Sequence, residues 1–438
     1  MSVNVKAFFQ ATNPGKALFK DNQEIEEKYY IDFSSVRGGK IIEDLKDNIA
    51  MWFPDEPTCQ LFTGHIGCGK STELWLLKQL LEAEGFHVVY FESDKDLEMG
   101  DIDVSDILLT IARQVIESLK TREKLNLGEP TRFKRQIEGA MRLLQTEIEI
   151  SPGVELSFGI AKITAQAKAS PQLRSKLRDY LGPRSNGIIE TINQELLEPA
   201  HEKLKQRDKK GLVVIVDNLD KVDSAPKPWG RSQPEYLFVD RGEQLASLHC
   251  HVIYTLPLAL RFSNDYNRLT QRFKTDPQVL PMVSMQLRDG KEFGEGMAKL
   301  RQLVLARAFP HLGEQQRLEK ITEIFDSTET LDHLCKMSGG HVRNILRILN
   351  EAIKKQKGLP ISSENLNKVI QNFRNERTLA VDDQEWELLR QVAQTKKVTG
   401  DDGYQKLIRS MFVYEYRDDE GSWFDINPIL KDAVELKK

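Results

Sequence analysis

The stretch GHIGCGKST at residues 64–72 has residue types that suit the binding of a phosphate chain. Gly64, Gly67 and Gly69 let the backbone approach phosphates closely and direct successive N–H groups toward them. Lys70 supplies a charge for β- and γ-phosphates, and Ser71 supplies a hydroxyl ligand for Mg²⁺. We therefore expect the whole loop to contact a nucleotide, through Gly64, His65, Ile66, Gly67, Cys68, Gly69, Lys70, Ser71 and Thr72.

The segments on either side of this loop have the patterns that a phosphate loop requires. The stretch TCQLFTG predicts a buried strand before the loop, and STELWLLKQLLEAEG predicts a helix after it. That helix would direct its positive N-terminal end at the phosphates. A further strand, FHVVYFES, follows, and the order strand, loop, helix, strand predicts a parallel α/β sheet.

A second buried strand ends in carboxylates. In GLVVIVDNLDKV, β-branched residues precede Asp217, and Asp220 is the other acid available. A carboxylate at the end of such a strand is suited to hold the Mg²⁺ that Ser71 would also bind. We expect the strands that end at Thr63 and Val216 to lie side by side and to bring Lys70, Ser71 and Asp217 around one metal-bound polyphosphate.

The overall composition is that of a soluble globular protein. The 438 residues are 40% hydrophobic and 29% charged, with a formal net charge of −4. Four widely separated cysteines argue against a disulfide framework and fit a reducing compartment. The apolar runs are too short to span a membrane, and the N-terminus lacks the pattern of a signal peptide. We predict a cytoplasmic protein that does not bind membranes.

The order of the remaining segments suggests four parts. We predict an N-terminal segment at 1–50, an ATPase core at 51–290, a helical lid at 291–378 and a winged-helix-like domain at 379–438. The core contains an insertion at about 121–205, in which alternating apolar residues from Val154 to Ile160 predict a hairpin. A third buried strand, HCHVIYTLPLAL, completes the core. The fold class is thus an α/β parallel sheet with a helical lid.

The set GHIGCGKST, VVIVDNLD, VIYTLP and SGGHVRNILRIL, followed by a winged-helix pattern, resembles the AAA+ and STAND division of P-loop ATPases. The similarity is greatest to origin-recognition-type ATPases and bacterial STAND-like proteins, and it covers roughly residues 25–100 and 205–438. The first two motifs are specific, and the last two are only suggestive. The resemblance implies ATP and Mg²⁺ as ligands and ATP hydrolysis as the activity.

The resemblance also implies roles for residues outside the loop. Thr255 occupies the position of the polar sensor-1 residue, although it is equally suited to capping a loop. Arg343 matches the sensor-2 arginine that contacts the γ-phosphate from the lid, although it could be a solvated helix residue. The segment YYIDFSSVRG would cover the base, with Tyr30, Phe33 or Arg37 near the adenine.

One departure from the family pattern concerns catalysis. AAA+ ATPases usually have a glutamate directly after the magnesium-binding aspartate, whereas this chain has Asn218, whose amide cannot act as a base. Asp220 could serve only if the strand end turns back. We therefore expect slow hydrolysis, and a switch between two nucleotide states rather than a motor.

A second departure is the 147-residue spacing between Lys70 and Asp217. Within it, residues 161–184 contain six Lys or Arg residues and one acid, for a local charge of +5. This stretch could supply an arginine finger to a neighbouring subunit, bind nucleic acid or an acidic partner, or be a solvated helix face. The finger candidates are Arg174, Arg178 and Arg184.

The C-terminal residues have the opposite charge. Residues 381–438 contain nine Lys or Arg and thirteen Asp or Glu residues, for a net charge of −4. A DNA-binding face should be positive, so we expect the winged-helix-like domain to contact protein, and nucleic acid is not favoured as a partner.

Together these patterns predict a regulatory or signalling ATPase. ATP binding at Lys70, Ser71 and Asp217 would close the lid through Arg343 and promote homo-oligomer formation or the engagement of a protein partner. The alternative is a DNA-associated AAA+ ATPase, such as a loader or a transposition-type regulator, that uses the basic insertion. A nucleotide kinase is disfavoured, because no arginine pattern for a second phosphate substrate lies beside the loop.

Overall fold

A computed structural model of the chain describes residues 3–16, 18, 28–125, 127, 131–144, 155–227, 230–400 and 402–437. The chain divides into two compact units, each made of separate stretches of sequence. The sheet unit contains Ile42–Thr63 and Leu76–Gln278. The lid unit contains Met1–Ile41, Gly64–Trp75 and Val279–Lys438.

The sheet has five strands in the order β2-β3-β4-β1-β5. The pairs β2–β3, β3–β4 and β4–β1 are parallel, as the alternation of strands and helices predicted. Every residue of β3 is buried, which explains its unbroken run of β-branched and apolar residues. The strands are β1 (Cys59–Gly64), β2 (His87–Glu92), β3 (Leu212–Asp217), β4 (His251–Thr255) and β5 (Gln278–Leu280).

The expectation that β1 and β3 are neighbours is wrong. Strand β4 lies between them and pairs with both, Ile253 being in register with Gln60 on one side and Ile215 on the other. Asp217 is thus two strands from β1, about 10 Å at the usual strand spacing. Local patterns identified all three strands, but they do not encode which strand inserts between which.

The longer α-helices of the described residues account for most of the remaining regular structure. They are α1 (Val5–Ala11), α2 (Ile41–Asp47), α3 (Lys70–Ala83), α4 (Val104–Arg122), α5 (Thr131–Leu144), α6 (Leu156–Ala169), α7 (Pro171–Leu181), α8 (Ser185–Ile192), α9 (Glu198–Lys205), α10 (Tyr266–Phe273), α11 (Gly294–Ala308), α12 (Thr328–Ser338), α13 (Val342–Gln356), α14 (Ser363–Thr378), α15 (Asp383–Thr395) and α16 (Asp402–Arg409).

Shorter helical turns connect these elements. The α-helical ones are Ser93–Asp96, Gln233–Glu235, Gly242–Leu245, Glu314–Leu318 and Ile321–Ile324. The 3-10 turns are Ser34–Val36, Gly182–Arg184, Leu219–Lys221, Leu258–Phe262, Pro428–Leu430 and Glu435–Lys437, and the π-helical turns are Asn48–Trp52, Asn193–Leu197 and Tyr236–Asp240.

The regular structure of the insertion predicted at about 121–205 is helical in the described residues. The predicted hairpin is wrong over residues 156–169, which form α6, and its first part lies outside the described residues. Ile160, Ile163 and Ala167 bury one face of α6 at helical spacing. They belong to the same apolar core as Val214 and Val216 of β3, so the insertion is an integral layer of the sheet unit.

The lid unit has its own apolar core. Residues from α1, α11, α12, α13 and α14 contribute to it, among them Phe8, Val304 and Leu349. Residues 379–438, for which we predicted a winged-helix-like domain, contain two longer helices and an antiparallel ribbon in their described part. They are α15, α16 and the antiparallel strands β6 (Val413–Asp418) and β7 (Gly421–Ile426). Within the parts of the chain that the structure describes, we find no helix whose length and apolar character would carry it across a lipid bilayer.

Candidate nucleotide site

The phosphate loop of the lid unit depends on glycine at its key positions. Gly64, Gly67 and Gly69 have positive φ angles of 155°, 88° and 114°, which L-residues with side chains adopt at a cost. A Cβ on Gly64 would lie 2.5 Å from the Leu280 carbonyl oxygen, and a Cβ on Gly67 would lie 2.8 Å from Cε1 of His341. Backbone conformation thus favours glycine at all three positions, and sterics also require it at positions 64 and 67.

Lys70 donates hydrogen bonds to the start of the loop. Its ammonium contacts the carbonyl oxygens of Gly64 at 2.8 Å and His65 at 2.9 Å, and the side chain is buried. Lys70 is also the first residue of α3. The lysine predicted to bind phosphate is therefore placed by the loop itself and by the helix that follows.

The next three carbonyls of the loop accept hydrogen bonds from elsewhere in the lid unit. The His341 Nε2 atom lies 2.9 Å from the Ile66 carbonyl oxygen, and the Arg343 backbone N–H donates to Gly67 at 3.1 Å. The Arg37 guanidinium donates to the Cys68 carbonyl at 2.7 Å. Five consecutive carbonyls, from Gly64 to Cys68, thus face donors of the lid unit.

This arrangement has a consequence for the N–H groups of the loop. In a trans peptide the C=O and the following N–H point in opposite directions, so the N–H groups of Ile66, Gly67 and Gly69 point away from those donors. The Cys68 N–H instead donates to the His65 carbonyl at 3.2 Å and closes a turn. Successive N–H groups that face away from the protein donors form the kind of concavity that binds anions.

His341 connects the lid helix to the loop through both ring nitrogens. Its Nδ1 atom accepts the Asn344 N–H at 3.0 Å and caps helix α13, so the proton is on Nε2 and is donated to Ile66. Burial lowers the pKa of His341 to about 3, which keeps the ring neutral. His341 was not among the predicted site residues, although a histidine directly before a helix is a possible cap.

His65 connects the loop to the C-terminal ribbon. Its Nε2 atom accepts the Glu415 N–H of β6 at 2.9 Å, which leaves the proton on Nδ1. The rings of His65 and His341 each lie 5.7 Å from the Tyr414 ring, centre to centre. Burial lowers the pKa of His65 well below its usual value. No sequence pattern could identify the Glu415 contact, because the donor is a backbone N–H.

Tyr30 and Arg37, proposed near the adenine, lie against the first helical turn after the loop. The Tyr30 hydroxyl donates to Glu73 at 3.3 Å, and the Arg37 guanidinium lies 3.8 Å from the other Glu73 oxygen. Burial raises the pKa of Glu73, and the charge of Arg37 opposes that rise. Phe33 is buried under the Arg37 guanidinium. These residues therefore support the loop and its helix.

The remaining loop residues are at the start of α3. Ser71 is in the first turn, where its hydroxyl is suited to a metal ligand. The Thr72 hydroxyl accepts the Leu18 N–H at 3.3 Å, so it helps to hold the N-terminal segment. A Cβ added to Gly67 would lie 3.1 Å from Cδ of Arg343. The predicted sensor-2 side chain thus runs along the loop.

In the sheet unit, Asp217 ends β3 and has a well-defined orientation. One carboxylate oxygen accepts the Tyr90 hydroxyl at 2.7 Å, and the other accepts the Asn218 N–H at 2.7 Å. The Asp217 carbonyl accepts the Ser93 hydroxyl at 2.8 Å. These bonds fix the orientation of the Asp217 side chain.

The residues that follow β3 make a tight turn. Asn218 has a φ of 67°, and its side-chain amide donates to Asp94 at 2.8 Å. Asp220 is buried in the 3-10 turn Leu219–Lys221. The Thr255 hydroxyl donates to the Val216 carbonyl at 3.3 Å and accepts the Leu219 N–H at 3.0 Å. Thr255 thus ties β4 to the end of β3, which is the capping role left open as the alternative to sensor 1.

All three arginine-finger candidates have partners inside the sheet unit. Arg174 and Arg178 both contact Asp101 at 2.9 Å, and Lys227 contacts the same carboxylate at 2.7 Å. Burial raises the pKa of Asp101, but these three cations outweigh it and hold the pKa well below its usual value. Arg184 donates to the Tyr180 carbonyl at 2.6 Å and lies over that ring. Two arginines of the basic stretch, Arg174 and Arg178, thus join α7 to the loop that precedes α4.

Each unit, taken by itself, offers groups that fit part of a magnesium-bound nucleotide: the loop of the lid unit fits phosphates, and Asp217 of the sheet unit fits a cation. The loop combines an anion-binding backbone, a lysine at its centre and a serine at the start of a helix. Asp217 offers a carboxylate of fixed orientation at the carboxyl end of a parallel strand, the edge at which such sheets bind ligands. In the described residues we find no cluster of three His, Cys, Asp or Glu side chains that could hold a metal ion.

No protein-family model and no curated protein sequence matches the chain. Among solved structures, it is similar to Cdc6p from Pyrobaculum aerophilum, with 11% identity, coverage of 98% of this chain and 96% of that chain, and a TM-score of 0.39. For the ADP form of the ORC2 protein of Aeropyrum pernix, the identity is 14%, the coverages are 96% and 97%, and the TM-score is 0.40. For the ORC1 protein of A. pernix in complex with DNA, the identity is 12%, the coverages are 91% of this chain and 90% of that chain, and the TM-score is 0.33.

One of the three structures contains DNA, so the expectation that nucleic acid is not a partner gains no support from the comparisons. At identities of 11–14% and TM-scores of 0.33–0.40, the function is argued below from the residues of this chain.

Proposed function

We propose that this protein is an AAA+-type ATPase that acts as a slow nucleotide-dependent switch. The observation that carries the proposal is the set of five loop carbonyls, from Gly64 to Cys68, that accept hydrogen bonds from the lid unit. They turn the N–H groups of Ile66, Gly67 and Gly69 away from those donors. These N–H groups, the Lys70 ammonium and the Ser71 hydroxyl are the proposed ligands of the phosphates and Mg²⁺. Asp217 is the proposed second magnesium ligand, and Arg343 the lid residue that contacts the γ-phosphate.

The proposed switch depends on the hydrogen bonds that hold the phosphate loop in place. Its carbonyls are hydrogen-bonded to the N-terminal segment through Arg37 and to helix α13 through His341, and His65 accepts an N–H of the ribbon. A phosphate chain that changes the loop conformation changes the geometry of all three contacts. ATP and ADP would thereby favour different positions of elements that a partner or a second copy can bind.

The experiment that tests nucleotide binding uses Lys70→Ala. We expect its affinity for a fluorescent ATP analogue to fall roughly 10- to 100-fold, because a charge-assisted hydrogen bond to phosphate is worth about 1.5–3 kcal/mol. Lys78→Ala is the matched control, since Lys78 is on the same helix and pairs with Glu82. Tight ATP binding by the Lys70 variant would reject the site.

A second candidate function is that of a DNA-associated AAA+ ATPase. Duplex DNA is the ligand to test, because structures similar to this chain include DNA complexes from Drosophila and A. pernix. The affinity should be measured across a salt series, with and without ATP. A steep loss of affinity with salt would indicate phosphate contacts and favour this candidate. A flat or absent response would favour a protein partner.

A further inference from the structure

Two arginines of the lid unit lie against one aromatic ring. The guanidinium carbon of Arg347, on α13, is 5.4 Å from the centre of the Phe373 ring, and that of Arg377, at the end of α14, is 5.3 Å from the same centre. The ring attracts both cations, but it also brings two like charges close together. Burial lowers the pKa of Arg377, and the charge of Arg347 lowers it further. The fold therefore holds this arginine pair together against its own repulsion.

The arginine pair has no counter-charge among the described residues, unlike its neighbours. Three other cations on α13 and α14 pair with carboxylates. These pairs are Lys354–Glu351, Lys368–Glu364 and Arg374–Asp432. In the part of the chain that the structure describes, no carboxylate pairs with Arg347 or Arg377. Residues 342–378, which contain both helices, have eight Lys or Arg and three Asp or Glu residues, for a net charge of +5. An anion from outside the unit would supply the missing charge.

Arg377 is oriented by contacts that use only part of its hydrogen-bonding capacity. One terminal nitrogen donates to the Phe373 carbonyl at 3.2 Å, and the other lies 3.4 Å from the Asn344 side-chain oxygen. A guanidinium has five N–H groups, so two contacts fix its position and leave N–H groups for a ligand. Arg347 is exposed, which gives a ligand from solvent access to the pair.

The arginine pair is near the phosphate loop but on the side of the loop carbonyls. Asn344, which Arg377 contacts, donates its N–H to His341, and His341 in turn binds the Ile66 carbonyl. The N–H groups that would bind nucleotide phosphates point away from His341. An anion held by the arginine pair is therefore distinct from the phosphates held by the loop.

We propose that Arg347 and Arg377 form a second phosphoryl-binding site, separate from the nucleotide site. A planar guanidinium matches two oxygens of a phosphoryl group with parallel hydrogen bonds, and the second guanidinium adds its charge to the same group. A bound phosphoryl dianion offsets the repulsion between the two arginines. The inference goes beyond the proposed function, because it does not require the loop to bind ATP.

The experiment titrates the full-length protein with pyrophosphate by isothermal titration calorimetry at fixed ionic strength. We expect a binding event that persists in Lys70→Ala, because its site is not the loop. In Arg347→Gln and Arg377→Gln, the affinity of that event should fall roughly 10-fold or more, since each variant loses charge-assisted hydrogen bonds. Lys368→Gln is the matched control, because Lys368 is on α14 and pairs with Glu364. It should bind pyrophosphate as the unmodified protein does.

Stability without ligand separates a binding pair from a structural one. In a phosphate-free buffer, Arg347→Gln removes a repulsion, so we expect its urea midpoint to equal or exceed that of the unmodified protein. A structural arginine would instead lower the midpoint when replaced. Arg347 is exposed, so the variant is expected to fold and the comparison can be made.

Several results would overturn the second site. One is the absence of pyrophosphate binding by the unmodified protein, and another is binding that disappears in Lys70→Ala but not in either arginine variant, which would assign it to the loop. An equal loss in Lys368→Gln would indicate general attraction to a basic surface, and a lowered urea midpoint for Arg347→Gln would make the pair structural. Failure of the unmodified protein to bind ATP would reject the proposed function and leave the second site intact.

Discussion

Asn218 illustrates how one residue sets the chemistry at the end of β3. Its φ of 67° is in the left-handed region, which asparagine tolerates better than most residues with a side chain. Its N–H orients Asp217, and its side-chain amide holds Asp94. The residue that replaces the usual catalytic glutamate is thus required by the turn, and a glutamate would not fit this backbone without strain.

We predict that Asn218→Glu lowers the free energy of unfolding by about 1–3 kcal/mol, because it adds left-handed strain and places a second negative charge beside Asp94. Asn218→Gly should cost only about 1 kcal/mol, since glycine adopts the same φ freely and only the side-chain hydrogen bond is lost. Urea denaturation of both variants measures the difference. Equal losses in the two variants would contradict this account of the turn.

At the scale of elements, the N-terminal end of helix α13 is in direct contact with the phosphate loop. His341 caps the helix with one ring nitrogen and binds the Ile66 carbonyl with the other, and the Arg343 N–H binds Gly67. The Tyr414 hydroxyl of β6 accepts the Asn344 amide at 2.7 Å, which ties the ribbon to the same turn. Loop, lid helix and ribbon thus share one hydrogen-bonded cluster.

Two substitutions of His341 separate its two bonds. Asparagine can still cap α13 but cannot reach the loop, whereas alanine does neither. We predict that both variants weaken ATP binding by a similar factor, roughly 2- to 10-fold for one lost hydrogen bond. We also predict that the alanine variant is less stable than the asparagine variant by about 1 kcal/mol. If His341→Asn binds ATP as tightly as the unmodified protein, the loop contact has no part in nucleotide binding.

The same elements show what the sequence could and could not predict. Strands β1, β3 and β4 and the loop glycines were predictable, because β-branched runs and G-x-x-x-x-G-K-S have local physical causes. The position of β4 between β1 and β3 could not be predicted, because strand order depends on the packing of the whole sheet. Helix α6 was mistaken for a hairpin, because short apolar runs fit both periodicities. Glu415 was missed because its contribution is a backbone N–H.

At the scale of the whole molecule, the proposed switch predicts a nucleotide-dependent assembly state. We expect the molar mass from light scattering during size-exclusion chromatography to be larger with a non-hydrolysable ATP analogue than with ADP. The reason is that a γ-phosphate at the loop alters the contacts of the N-terminal segment, lid helix and ribbon together. Lys70→Ala should give one mass in both nucleotides. Identical masses for the unmodified protein would leave a partner protein or DNA, rather than a second copy, as the target.

The segment Gly64–Trp75 belongs to the lid unit, while the residues directly before and after it belong to the sheet unit. The polypeptide therefore crosses from one unit to the other at four points, and neither unit is a continuous stretch that could be expressed alone. A deletion after Thr378 would remove β6 and with it the N–H that His65 accepts. Dissecting this protein by truncation would perturb its phosphate loop at the same time, so the partner of the C-terminal domain has to be mapped with surface point substitutions in the full-length chain.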